Sequence, residues 1–233
     1  MILYAGTSGF GYRQWVGGFY PKGTKPADYL AHYASVFRTV EINHTFRRFP
    51  TPSLTRKWRD ATPEGFRFAV KANLRITHRA RLADAGEVTR DFLGALEPLG
   101  DRLGPVLFQC PPWFRRDDDR LAGFLEALPG GGRFAFEFRH PSWQCAEVRR
   151  ICRDGGAALV GAFGTLAEEL AAPATAAFAY VRLRRDPPYD EAEQARIAAM
   201  LDGLRERVRE TWLYVKHDGP GLAPAAVSWI QGL

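Results

Sequence analysis

The stretch FAFEFRHPSW, residues 134–143, puts phenylalanine at 134, 136 and 138, with Ala135, Glu137 and Arg139 in alternate places. In an extended chain successive side chains point to opposite faces, so the phenylalanines share one side while Glu137 and Arg139 share the other. One face is suited to burial under helices. The second ends in an acid followed by a base. The same alternation recurs elsewhere. TVEINHTF (39–46) separates Val40 and Ile42 from Glu41 and Asn43, and FRFAVKAN (66–73) separates Phe66, Phe68 and Val70 from Ala69, Lys71 and Asn73. PVLFQC (105–110) sets Val106 and Phe108 against Leu107 and Gln109. FAYVRLRR (178–185) aligns Tyr180, Arg182 and Arg184, and WLYVKHD (212–218) aligns Tyr214, Lys216 and Asp218.

Eight runs carry this strand signature, bounded by turn formers: 2–7, 39–43, 67–72, 105–109, 133–138, 158–163, 177–183 and 211–216. Helical patterns fill most of the gaps. KPADYLAHYASVF has Pro26 in a first-turn position and apolar residues three and four apart, and TPSLTRKWRDA opens on Thr and Pro. DDDRLAGFLEAL gathers acids where a helix dipole favours them, and DEAEQARIAAMLDGLRERV predicts the longest helix. Residues 164–175 are short and helix-poor, so the unit between strands six and seven is degenerate. Eight strands alternating with helices over 233 residues predict an α/β fold, a single and somewhat irregular (β/α)8 TIM barrel filling one domain over 1–233. A doubly wound open sheet is the alternative, although no GxGxxG or Walker-type loop follows any strand.

Composition sets the outer limits. The hydrophobic fraction is 46%, no apolar run approaches the length of a membrane helix, and the first residues lack a basic leader. A cytoplasmic protein with no membrane partner is expected. Cys110, Cys145 and Cys152 show no CxxC spacing, which fits a reducing compartment. The net charge of +6 is a modest bias towards anionic partners.

In a barrel the polar faces would converge on the axis, near the C-terminal strand ends where barrel enzymes carry their sites. The inward set is Glu41, Asn43, Lys71, Gln109, Glu137, Arg139, Arg182 and Lys216. A purely structural reading pairs the two glutamates with Lys71, Arg182 and Lys216 in a plugging network. Against it stands a surplus of cations, which suits a bound phosphate or carboxylate. On this reading Glu41 and Glu137 are the general acid and base. Lys71, crowded by cations, is a base or Schiff-base nucleophile; Arg139, Arg182 and Lys216 hold the anion; and Asn43 and Gln109 orient it. Tyr12 and Trp15 after the first strand and Trp113 after the fourth are expected to stack on substrate at the pocket mouth. Trp143 opens a helix and is expected in the core.

Six motifs in order also resemble a known family. GTSGFGYRQWVGGFYP, VEINHTFRRFP, FRFAVKANLRITH, LGPVLFQCPPWF, FAFEFRHPSW and FAYVRLR are similar to the uncharacterised YecE-like family, domain of unknown function 72, from Gly6 to the region of Gly221. The resemblance implies a TIM barrel and a bacterial or archaeal cytoplasmic protein, with no established reaction. Against the family pattern this chain has Arg47 in place of a tyrosine after TF, Arg184 in place of a histidine, and Lys216 and His217 in place of two asparagines. It also lacks an aspartate in LVGAFG.

The leading expectation is therefore an enzyme, a hydrolase or lyase, acting without a cofactor on a small anionic substrate, with nucleotide-like molecules among the candidates. A metal-dependent phosphodiesterase or nuclease is the second reading, with Glu41, His78, Glu137, His140 and Asp218 as available ligands of a divalent ion. Only the glutamates fall on the inward parity, and no HxH or HxxE spacing occurs. The third reading is a non-catalytic module that binds nucleic acid through basic surface and tryptophans.

Overall fold

The computed structural model describes residues 1–167, 169–216 and 221–233. Among them run nine strands: β1 (Ile2–Thr7), β2 (Thr39–Ile42), β3 (Arg67–Lys71), β4 (Leu103–Gln109), β5 (Phe134–Glu137), β6 (Ala158–Leu159), β7 (Gly161–Phe163), β8 (Phe178–Leu183) and β9 (Glu210–Val215). Seven α-helices alternate with them: α1 (Tyr29–Val36), α2 (Pro52–Asp60), α3 (Gly86–Leu96), α4 (Asp118–Glu126), α5 (Ala146–Asp154), α6 (Glu191–Arg205) and α7 (Leu222–Gln231). Helix starts are set by local chemistry. The Thr51 hydroxyl accepts the Leu54 N–H ahead of Pro52, Asp117 accepts the Arg120 N–H, and Asp190 and Glu193 cap each other's backbone at the start of α6. Among the described residues no helix is long and apolar enough to cross a membrane.

The expected closed eight-stranded barrel is not formed. Every pairing is parallel, but the strands divide into a five-stranded sheet, β2-β3-β4-β5-β6, and a four-stranded sheet, β1-β9-β8-β7. The expected sixth strand, 158–163, breaks at Val160. Its first half pairs with β5 and its second half with β8, so neither half carries a ladder on both sides. The Leu159 N–H goes instead to the Thr175 hydroxyl at 2.8 Å, and that hydroxyl donates to the Ala157 carbonyl at 2.7 Å.

At the other seam, β1 meets β2 through a single bridge between Ser8 and Glu41. Here a side chain takes the place of a backbone ladder. The Tyr33 hydroxyl, from α1, accepts the Thr7 N–H at 2.8 Å and donates to the Thr39 carbonyl at 3.1 Å. Close approach at this seam also needs Gly6, where a Cβ would stand 2.2 Å from the Thr39 carbonyl oxygen.

The alternation of faces survives the loss of closure. Phe134 and Phe136 join Val40, Ile42, Val106 and Phe108 in the apolar layer beneath the helices. Ala69, Leu107, Ala135, Tyr180, Trp212 and Tyr214 form a second buried cluster shared by both sheets. A one-residue slip of β5 would drive Glu137 into the phenylalanine layer, which pins the register.

Tyr33 is fully buried. Tyr33→Phe leaves the Thr7 N–H and the Thr39 carbonyl without their partner, and is expected to cost about 1–3 kcal/mol. Urea unfolding with an unchanged midpoint would refute the role given to this hydroxyl.

Candidate functional site

Polar side chains finish the shared interior at the C-terminal ends of the strands. Glu41 on β2, Lys71 ending β3, Gln109 ending β4, Glu137 ending β5 and Arg182 on β8 are all buried. Parity puts them there. Each occupies a place opposite the helix-facing apolar residues of its own strand.

Arg182 joins the two sheets. Its Nη2 donates to Glu41 Oε1 at 2.9 Å, and its Nη1 donates to Glu137 Oε2 at 2.6 Å. Its buried Nε has no partner, so the guanidinium is held by its two outer nitrogens. Glu41 Oε1 also accepts from the Ser8 hydroxyl and the Asn43 amide, each at 2.9 Å, while the Tyr180 hydroxyl donates to Oε2 at 2.7 Å. Glu137 Oε1 accepts from Arg139 Nε at 2.9 Å and Arg184 Nη1 at 3.5 Å. Gln109 Oε1 accepts from Arg139 Nη2 at 2.9 Å and Arg182 Nη1 at 3.4 Å.

These contacts determine the protonation states. Burial would push the Glu41 carboxyl up, but Arg182 and the Tyr180, Asn43 and Ser8 donors outweigh it and hold the group below its ordinary range. Burial acts likewise on Glu137, and there Arg182 and Arg139 win. Both side chains are carboxylates with every oxygen already accepting hydrogen bonds.

Lys71 differs. Among the described residues its Nζ has no hydrogen bond or ion pair, and it lies 4.0 Å from the centre of the Phe46 ring. Burial and the neighbouring Arg182 lower its pKa to about 8, against the opposing pull of Glu41 and Glu137. Folding thus favours the neutral amine, so this group adds stability as pH rises from about 8 towards 10.5. The backbone beneath it is pinned: the Thr45 hydroxyl donates to the Lys71 carbonyl at 2.6 Å, and the Asn73 amide donates to the Thr45 carbonyl at 2.8 Å.

A cavity of about 220 Å³ opens over this group, lined by Ser8, Asn43, Lys71, Gln109, Arg139, Arg182, Arg184 and Lys216. Lys216 stands exposed at the rim, with its charge matched by Asp186 at 2.7 Å. Among the described residues Lys71, Arg139, Arg182 and Arg184 in the cavity wall face Glu41 and Glu137 as their acidic neighbours. Positive charge is in excess among them.

The expected aromatics are placed differently. Trp15 is fully buried against Tyr12, Phe19 and Tyr20, because the loop after β1 folds back as a small aromatic core, and it does not line the cavity. Tyr12 donates to the Ser8 carbonyl at 2.7 Å and lines a neighbouring groove of about 470 Å³ with Phe10, Asn43 and Trp58. Trp113 is 64% exposed and meets the edge of His78, whose ring in turn meets Phe46. Trp143 is buried as expected, stacked on Phe138 at 4.0 Å. Of the residues considered as metal ligands, His78 bonds to the Thr77 hydroxyl and His140 to the Ser142 hydroxyl, whereas Asp218, like His217, lies outside the described residues. Among the described residues no three His, Cys, Asp or Glu side chains come together as a ligand group.

The candidate residues drawn from the sequence leave out Ser8, Arg184, Tyr180 and Phe46. Ser8 extends the alternation of Tyr4 and Gly6 past the end of β1, so parity would have found it. Nothing in the spacing of the motifs places Phe46 over Lys71.

A family model described as "Protein of unknown function DUF72" matches residues 4–233. The chain is 36% identical over 115 residues to the UPF0759 protein YecE of Escherichia coli strain K12, a match covering 49% of this chain and 42% of that protein. It is 31% identical over 154 residues to the UPF0759 protein YunF of Bacillus subtilis strain 168, covering 61% and 52% respectively. The matching region spans about half the length of these curated relatives. A solved DUF72 family protein from Thermotoga maritima is similar at a TM-score of 0.86 with 28% identity, covering 100% of this chain and 98% of that one. Another from Enterococcus faecalis, at 0.80 and 18% identity over 99% and 94%, speaks for the fold alone.

Arg182→Met tests the ion network. It leaves buried Glu41 with neutral donors only and takes one of three arginines from Glu137, and is expected to cost about 3–5 kcal/mol near neutral pH. The pH slopes should also oppose each other. In the native protein the depressed carboxylates contribute stability above their ordinary value of 4.5 and lose it as pH falls below that. Without the guanidinium, burial raises Glu41, while Arg139 continues to hold Glu137 down, so through Glu41 the variant gains stability as pH falls from about 7 to about 5. Parallel urea midpoints for the two proteins across that interval would contradict the assignment.

Proposed function

As a member of the family described as protein of unknown function DUF72, the chain brings a shared fold without an assigned reaction, and we propose that it is an enzyme acting on a small anionic substrate. The observation that carries this reading is the surplus of cations around a cavity whose two carboxylates are already saturated with donors. An incoming phosphate or carboxylate balances that charge. Arg139 has an Nη1 without a partner among the described residues, and Arg184 touches Glu137 only at 3.5 Å, so both have fork donors to offer.

The roles follow from the contacts. Glu41 and Glu137 hold Arg182 in place, and their depressed pKa values suit that task better than proton donation. Lys71 is the unpaired group that meets the reacting atoms. Gln109, its oxygen fixed by two arginines, and Asn43, fixed by Glu41, orient the substrate. The cavity is small, about 220 Å³, and open at its mouth, which suits a short substrate. A metabolite of a few carbons fits. A nucleoside body would have to extend into the groove beside Tyr12.

Thermal unfolding at constant ionic strength tests the site. Inorganic phosphate or a short carboxylate at about one hundred times its dissociation constant adds about 2.7 kcal/mol to the native protein, which chloride does not. Arg184→Ala is half-exposed and should fold within about 0.5 kcal/mol of the native protein while losing most of that gain. Equal stabilisation of both proteins would remove the cavity from consideration as the anion site.

A further inference from the structure

Five lysines occur in the sequence. Lys22, Lys25, Lys57 and Lys216 are exposed, and Lys71 alone is buried. A buried lysine normally sits against a carboxylate, because an unpaired ammonium in an apolar setting is costly. Two carboxylates are close at hand, yet arginines occupy both, and Lys71 Nζ is left between the Phe46 ring and the cavity. A cation needed only for binding would not require a lysine here, since arginines already surround the space. The distinctive capacity of lysine is its amine lone pair, which arginine does not offer.

Building on the anionic-substrate reading of the same cavity, we propose that Lys71 is a covalent catalyst that forms an imine with the carbonyl carbon of a short substrate bearing a carboxylate or phosphate. The Nζ lone pair adds to the carbonyl carbon while the C=O π pair moves to oxygen. The nitrogen then gives up two protons and the oxygen leaves with them as water. One amine and one carbonyl yield one imine and one water, with no oxidant or reductant. Arg139 and Arg184 hold the anionic end, which directs the carbonyl towards Nζ.

Two features of the surroundings favour this step. With its pKa near 8, about one Lys71 side chain in ten is already a neutral nucleophile at pH 7. His78 packs edge-on against the same Phe46 ring and is held below its usual range by burial, Lys71 and Arg139, so this imidazole adds no further positive charge beside the amine.

Reductive trapping decides the matter. The native protein is incubated with pyruvate or glycolaldehyde phosphate, reduced with borohydride, and its adducts are mapped by peptide mass spectrometry. The expected result is an adduct on the Lys71 peptide about tenfold above that on any exposed lysine, suppressed by excess inorganic phosphate and absent in Lys71→Arg and Lys71→Met. Mapping in the native protein needs neither variant, so a variant that fails to fold does not block the test. Adducts spread evenly over the exposed lysines would overturn the proposal. So would the absence of a Lys71 adduct from both probes while phosphate still raises the unfolding midpoint, an outcome that leaves the anion site standing and removes the imine. No adduct and no stabilisation by phosphate would remove both.

Discussion

The guanidinium of Arg182 is the contact on which the interior of this protein depends. It projects from β8 in one sheet and grips Glu41 on β2 and Glu137 on β5 in the other. The two sheets lack a continuous backbone ladder at either seam, so the cross-links between them are made by side chains. Most of these are buried, and a buried charge is costly unless it is paired and hydrogen-bonded. Glu41, with four donors on its two oxygens, meets that condition without a second cation.

Function grows out of the same constraint. Among the described residues, satisfying two carboxylates with arginines leaves more positive charge than negative at the strand ends, together with one lysine that has no acid left to pair with. A protein concerned with stability alone would do as well with apolar residues of similar volume in place of such a network. We read the charge imbalance, the lowered lysine pKa and the small cavity together as the site of the proposed anion. Tyr33 shows the same economy at the edge of the site. Its hydroxyl links β1 to β2 and so fixes Ser8 beside Glu41.

Much of the site was legible because alternation is a strong rule. The parity of FAFEFRHPSW placed Phe134 and Phe136 in the helix layer and Glu137 in the interior, and the same rule placed Glu41, Lys71, Gln109 and Arg182. Closure of the sheet was not legible. Whether residues 158–163 pair on both sides depends on which group accepts the Leu159 N–H, and the Thr175 hydroxyl, sixteen residues away, took it. Trp15 misled for a related reason. A tryptophan in a loop after a strand looks like a pocket residue until the loop is seen to fold on its own aromatic cluster.

The sequence alone determined the α/β alternation, the two faces of each strand and, Lys216 excepted, the inward set of charged residues, because these follow from backbone geometry and burial acting over a few residues. Tertiary structure decided which charges pair. Glu41 and Glu137 could have met Lys71, Lys216 or an arginine, and periodicity does not choose among them. Distance and hydrogen-bond geometry chose Arg182, gave Lys216 to Asp186, and left Lys71 unpaired at the wall of the cavity.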